Sequence, residues 1–149
     1  MENTSYLIQS SSITIISATF ILVISQILNN FVFAALKEFQ IIKGKISYNL
    51  VYTSNLYGLV DGNSKKKDLI KTVNDGAIEL RKIACQLIEI HQTIPFKNIF
   101  IFLNIIPSAQ IVKTASGNLI GLSNLLFDAD PWESKNEKYI EIKNLLNIL

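Results

Sequence analysis

The side chains best suited to chemistry are few: one cysteine, Cys85, one histidine, His91, and a knot of carboxylates at Asp128, Asp130 and Glu133. A nucleophilic thiol needs a base beside it. Cys85 and His91 stand six residues apart on what reads as one helix, which turns them about 120° from each other, so no local dyad forms. With one of each, a metal site would have to be built from carboxylates, and the Glu-x-x-His pairs of di-iron bundles are missing from the sequence. Asp128-x-Asp130 with Glu133 offers the oxygen ligands that Mg²⁺ or Ca²⁺ takes. The same residues also spell a helix start, with Asp130 as cap, Pro131 at the first helical position and Glu133 reaching back to the cap amide. No Gly-x-Gly-x-x-Gly or Walker-type loop is present to cradle phosphate. The sequence therefore assigns no catalytic residue, no cofactor and no metal ligand.

Two sets of polar residues are better candidates for binding. Tyr48, Tyr52 and Asn55 share one stretch of a helix, where tyrosines spaced i, i+4 either pack a core edge with hydroxyls outward or line a polar ligand pocket. Ser12, Thr19, Gln26 and Asn30 form the second set, and their meaning depends on the segment that carries them.

That segment is set apart by charge. All 14 Lys and Arg of the 149-residue chain lie between Lys37 and Lys143, and of the 12 acidic residues only Glu2 precedes Lys37. Hydrophobic residues make up 49% of the chain, charged ones 17%, and mean hydropathy is +0.32, oilier than an ordinary single soluble domain. The run Ile13 to Leu36 would reach about 36 Å as a helix, enough for a hydrocarbon core of about 30 Å. A secretory signal would carry a basic n-region and a small-x-small cleavage site, and an apolar core helix would be shorter. The reading is a short extracytoplasmic tail at 1–11, a transmembrane helix at 12–36 and a cytoplasmic domain at 37–149. Lys37, Lys43 and Lys45 follow the span, so the N-terminus is expected outside and the domain on the cytoplasmic side of the cell (inner) membrane. A lone, reduced cysteine suits that compartment. Net charge of +2 is too small for nucleic acid as a partner.

Within the span, Ser12, Thr19 and Gln26 are seven apart, as are Ser11, Ala18 and Ser25, with Asn29 and Asn30 continuing both rows. At about 20° of drift per heptad these residues gather on one side of the helix. Small and amide-bearing faces of this kind pack against partner helices in lipid, for roughly 1 kcal/mol per amide contact. Alternatively, Ser and Thr bond their own i−4 carbonyls while Asn29 and Asn30 rest near the headgroups.

The cytoplasmic part reads as helices separated by breakers. The first is expected over Lys37 to Tyr57, ended by the Gly58–Ser64 loop. The second, Ser64 to His91, has an a/d seam of Ile70, Val73, Ala77, Leu80, Ala84, Leu87 and His91, whose two alanines imply a close neighbour. Phe96 to Ile106, held between Pro95 and Pro107, is apolar on almost every side and too short to cross a bilayer; it is expected to be a buried helix or strand, or else to lie against the membrane surface. Ser108 should cap a helix with a seam of Ile111, Ala115, Leu119, Leu122 and Leu126, in which Gly117 and Gly121 imply tight packing. A last helix from Asp130 should bury Trp132, Tyr139, Ile142, Leu146 and Leu149. The fold expected is all-α: a single N-terminal transmembrane helix followed by a small cytoplasmic four-helix bundle.

Lys45-Ile-Ser-Tyr-Asn-Leu-Val-Tyr-Thr-Ser-Asn-Leu-Tyr57, Glu79-Leu-Arg-Lys-Ile-Ala84 and Leu119-Ile-Gly-Leu-Ser-Asn124, placed after an uncharged span, resemble a group of small bacterial single-pass membrane proteins with a cytoplasmic helical domain. The resemblance implies the architecture and no activity. The function expected is a membrane-anchored, non-enzymatic interaction or sensing module that oligomerises through its span. Its partners would be the lipid bilayer and either a second copy or another membrane or cytoplasmic protein. The alternatives are a membrane-perturbing effector and a membrane-surface enzyme using Asp128, Asp130 and Glu133.

Overall fold

The computed structural model describes residues 2–57, 67–127 and 132–148, with backbone alone for residues 2–11. Among the described residues there is no strand. The elements in order are α1 (Glu2–Ile27), a π-helical segment (Leu28–Phe33), α2 (Ala34–Ser54), α3 (Lys67–Thr93), α4 (Lys97–Phe102), α5 (Ala109–Leu125) and α6 (Trp132–Leu146). No proline interrupts the first 54 residues, so α1, the π segment and α2 run as one rod, and its apolar part is long enough to cross a membrane. In the π segment the Ala34 N–H donates to the Asn29 carbonyl, one residue further back than in an α-helix. The first domain helix thus begins at Ala34 and ends at Ser54, a turn earlier than the expected Tyr57. Ser54 and Asn55 side chains both donate to the Val51 carbonyl, at 2.7 and 3.3 Å, and this competition with the backbone ladder marks the stop.

α2 and α3 run antiparallel. Phe39, near the start of α2, has its ring 6.0 Å from that of His91 at the end of α3, and a Cβ on Gly76, in the first half of α3, would meet Thr53 and Leu56. α3 packs next on α5, and α5 on α6, which meets α2 lightly. The α3–α5 approach is close, as the seam alanines imply: the Ser116 hydroxyl donates to the Ala84 carbonyl at 2.9 Å, and Arg81 donates to Ser123 and Asn124 at 3.0 and 2.8 Å. One apolar core joins Phe39, Ile42, Ile46 and Leu50 to Val73, Leu80 and Leu87, to Val112, Leu119 and Leu122, and to Ile142 and Leu146. Each buried large side chain contributes about 1.5–3 kcal/mol.

Several expected core positions are different in the structure. Ile70 is exposed, while Leu69 beside it packs against the core. On α5 Val112 is buried while Ile111 is only half-buried, and Ser108 caps as expected, its hydroxyl accepting from the Ile111 N–H at 3.4 Å. Gly117 faces open space, whereas Gly121 lies beside Lys138 and the tightest glycine is Gly76, against Leu56. On α6 Tyr139, Ile142 and Leu146 turn inward as expected, but Trp132 is 62% exposed and the row begins instead at Lys135, 1% exposed. The cap at Asp130, the Gly58–Ser64 loop and Leu149 lie outside the described residues. Between the prolines lies a six-residue helix, α4, with no fully buried residue, although Phe100 and Ile101 pack against the core and Ile106 is buried, so the expected burial holds for only part of the segment.

Candidate functional site

Every described side chain from Ser12 to Phe31 is exposed, and α1 touches nothing beyond the π segment that follows it. An uncharged helix of Ile, Leu, Val and Phe without cover among the described residues leaves much apolar surface to its surroundings, which water disfavours. Along it, Thr19 donates to the Ile15 carbonyl at 2.9 Å, the self-satisfying arrangement, and Ser12 is also engaged. Gln26, Asn29 and Asn30 form no side-chain hydrogen bond among the described residues, and all three are exposed. In a regular helix Asn30 would overshoot Gln26 by about 40°. The wider π turn advances each residue by less, so the two amides come closer to one line. The residues Ser12, Thr19, Gln26 and Asn30 therefore divide into hydroxyls that are satisfied within the helix and amides that are not. The unsatisfied polar groups of this face thus lie in its C-terminal half, where an amide placed in hydrocarbon without a partner would cost several kcal/mol.

Tyr48 and Tyr52 stack with ring centroids 6.3 Å apart and planes 8° from parallel. Both are exposed, and the Asn55 amide folds back on the Val51 carbonyl. The three make an open surface rather than an enclosed pocket. Exposed Ile41 and Val51 flank them, and Gly44 on the same helix has nothing within 4 Å of a built Cβ. This side of α2 is an uncovered apolar and aromatic stripe, continuous with the rod that leads to α1.

The remaining chemistry-bearing residues are dispersed. Cys85 is exposed on α3, while His91 is 2% exposed with its Nε2 3.0 Å from the Pro107 carbonyl oxygen, so the two do not meet. Asp128 and Asp130 lie outside the described residues, and Glu133 is exposed; among the described residues no three His, Cys, Asp or Glu gather to hold a metal ion. The His91 ring is thus buried at the end of the α3 seam and hydrogen-bonded there.

A polar cluster at the far end, which the sequence did not announce, joins Tyr57, Lys135 and Tyr139. The Lys135 Nζ lies 5.9 Å over the Tyr57 ring, and Lys143 lies 5.5 Å over the Tyr139 ring. Burial pushes the Tyr57 phenol up to about 12, and the nearby Tyr139 adds to this. Thr53 is spent on the Asn49 carbonyl at 2.7 Å, and the Tyr57 hydroxyl is left without a hydrogen bond among the described residues. The available signal was the spacing Lys135, Tyr139, Ile142, Leu146, a helical row whose first member has an aliphatic stem long enough to lie in a core. No family model, curated protein or solved structure matches the chain.

Proposed function

We propose that the protein is a membrane-anchored, non-enzymatic interaction module. Its N-terminal helix spans the bilayer once with the N-terminus outside, and α2, α3, α5 and α6 form a four-helix bundle in the cytoplasm. The observation that carries this reading is the rod from Ser12 to Phe31, uncharged, exposed at every described position and without contact to the helical body. The basic residues that begin at Lys37 support the orientation. Gln26, Asn29 and Asn30 support association of spans, because a second helix supplies the hydrogen-bond partners that lipid does not. The Ile41, Tyr48, Val51 and Tyr52 stripe on α2 is the surface on which a cytoplasmic partner or a neighbouring copy would rest.

The test is isolation of the full chain from membranes after crosslinking, with and without the Gln26→Leu substitution. The reading expects a pellet that resists alkaline carbonate, together with crosslinked oligomers or a captured partner. Complete release by carbonate contradicts the anchor.

A further inference from the structure

The helical body ends in an apolar tip. Between Thr93 and Pro107 the side chains of Phe96, Ile99, Phe102, Leu103 and Ile105 are exposed, Phe102 to 84%, while Phe100, Ile101 and Ile106 turn toward the core. Contiguous exposed apolar surface of this kind marks a contact.

The position of the tip says with what. With α2 and α3 antiparallel and Phe39 opposite His91, the register sets Thr93 level with Lys37, the residue at which charge begins. The tip therefore starts at the height where the charge-free helix ends. Val32 lies five residues further into that helix and is only 6% exposed. Cover on the rod at that residue thus reaches about 7.5 Å past the charge boundary, within the depth of about 5–10 Å at which interfacial helices settle. Lys97 on the tip lines a hollow with Lys113 at the start of α5, and Lys37 stands at the same end, a basic set suited to anionic headgroups.

A second observation concerns the backbone. Phe96 and Asn104, at the two ends of α4, have φ of 52° and 56°. A bulky aromatic in that left-handed region costs about 1–2 kcal/mol. The chain holds Phe96 in an unfavourable conformation and leaves its ring 69% exposed. Immersion in lipid relieves the second of these.

We propose that Phe96–Ile105 is a second membrane contact, an interfacial wedge lying in the leaflet through which the rod leaves the bilayer, with Lys97 and Lys113 toward lipid phosphates. It rests on the reading of α1 as a span and adds that the helical body is docked on the bilayer rather than tethered below it.

The test uses the full chain in phosphatidylcholine–phosphatidylglycerol vesicles, with or without brominated acyl chains. The wild type carries one tryptophan, Trp132, at the opposite end of the body, and serves as the distant reporter. Phe102→Trp in a Trp132→Phe background is the near one, at a position exposed enough to accept it. The wedge predicts that the near indole loses most of its emission to brominated lipid and resists aqueous iodide, and that Trp132 does the reverse. A carbonate-resistant protein whose near indole is quenched by iodide as readily as Trp132 leaves the span standing and overturns the wedge. Protection from both quenchers means a protein covers the tip and also overturns it. Release of the protein by carbonate removes the span and the wedge together.

Discussion

The Nε2 of His91 stands 3.0 Å from the carbonyl oxygen of Pro107, joining the last turn of α3 to the residue just before the cap of α5. A carbonyl only accepts, so Nε2 carries the proton. This bond closes the loop that bears the apolar tip, and the imidazole also packs on Phe39. One buried side chain thus holds together the first turns of α2, the end of α3 and the entry to α5.

His91→Ala should therefore destabilise the folded body by about 2–4 kcal/mol, through the cavity and the undonated carbonyl together. Urea unfolding of the purified full chain in detergent, followed by circular dichroism, checks this. A loss below about 1 kcal/mol would show that the bond is incidental.

The two glycines Gly117 and Gly76 should respond in different ways to alanine. Gly117 sits in a helix with nothing within 4 Å of a built Cβ, so Gly117→Ala should raise stability by about 0.5–1 kcal/mol. At Gly76 the new methyl would come 3.0 Å from Leu56 Cδ1, a buried side chain, so overpacking offsets the helical gain. The expected order in the same unfolding assay is Gly117→Ala above wild type, with Gly76→Ala below Gly117→Ala.

Tyr57 predicts a pH dependence. Its pKa is raised from 10.0 to about 12 on folding, so the neutral phenol is the form the fold favours. That contribution is fully present below about pH 10 and is lost as pH rises toward about 12. Tyr57→Phe should remove this slope, seen as a shallower fall of the urea midpoint over that range than in wild type. At neutral pH it should match or exceed the wild type, by up to about 1 kcal/mol, since the hydroxyl it deletes has no hydrogen-bond partner among the described residues.

In the span, Gln26→Leu and Thr19→Ala should part company. The Thr19 hydroxyl is already bonded to Ile15, so its loss should leave association in membranes unchanged. Gln26→Leu should weaken association by about 1 kcal/mol, or roughly fivefold, in a crosslinking titration against lipid dilution. Equal behaviour of the two variants argues against a contact through the amide face.

What was legible in the sequence was periodicity and charge. The row Val73, Ala77, Leu80, Ala84, Leu87, His91 repeats by threes and fours and is buried as its spacing requires. The row fails at Ile70, where Leu69 beside it packs on the core instead. On α6 the row Tyr139, Ile142 and Leu146 begins at Lys135 rather than at the expected Trp132, because residue type was read before position and a lysine can bury its stem. The Phe96–Ile106 run is apolar on almost every side, so periodicity could not say which residues turn in: Phe100, Ile101 and Ile106 do, and Phe96, Ile99, Phe102, Leu103 and Ile105 do not. Tyr48, Tyr52 and Asn55 share a face as their spacing requires, and whether that face encloses a ligand depended on a neighbour that the described residues do not supply. The π segment has no sequence signature, although its wider turn brings Gln26 and Asn30 closer to one line.

Topology is tested most directly by thiol labelling, because the chain has a single cysteine, Cys85, exposed on α3. In intact cells a membrane-impermeant maleimide should leave Cys85 unmodified and label it once the membrane is opened, while a Ser5→Cys variant in a Cys85→Ser background should be labelled from outside without opening. Labelling of Cys85 in intact cells as fast as in opened ones would contradict the account of an anchored cytoplasmic body.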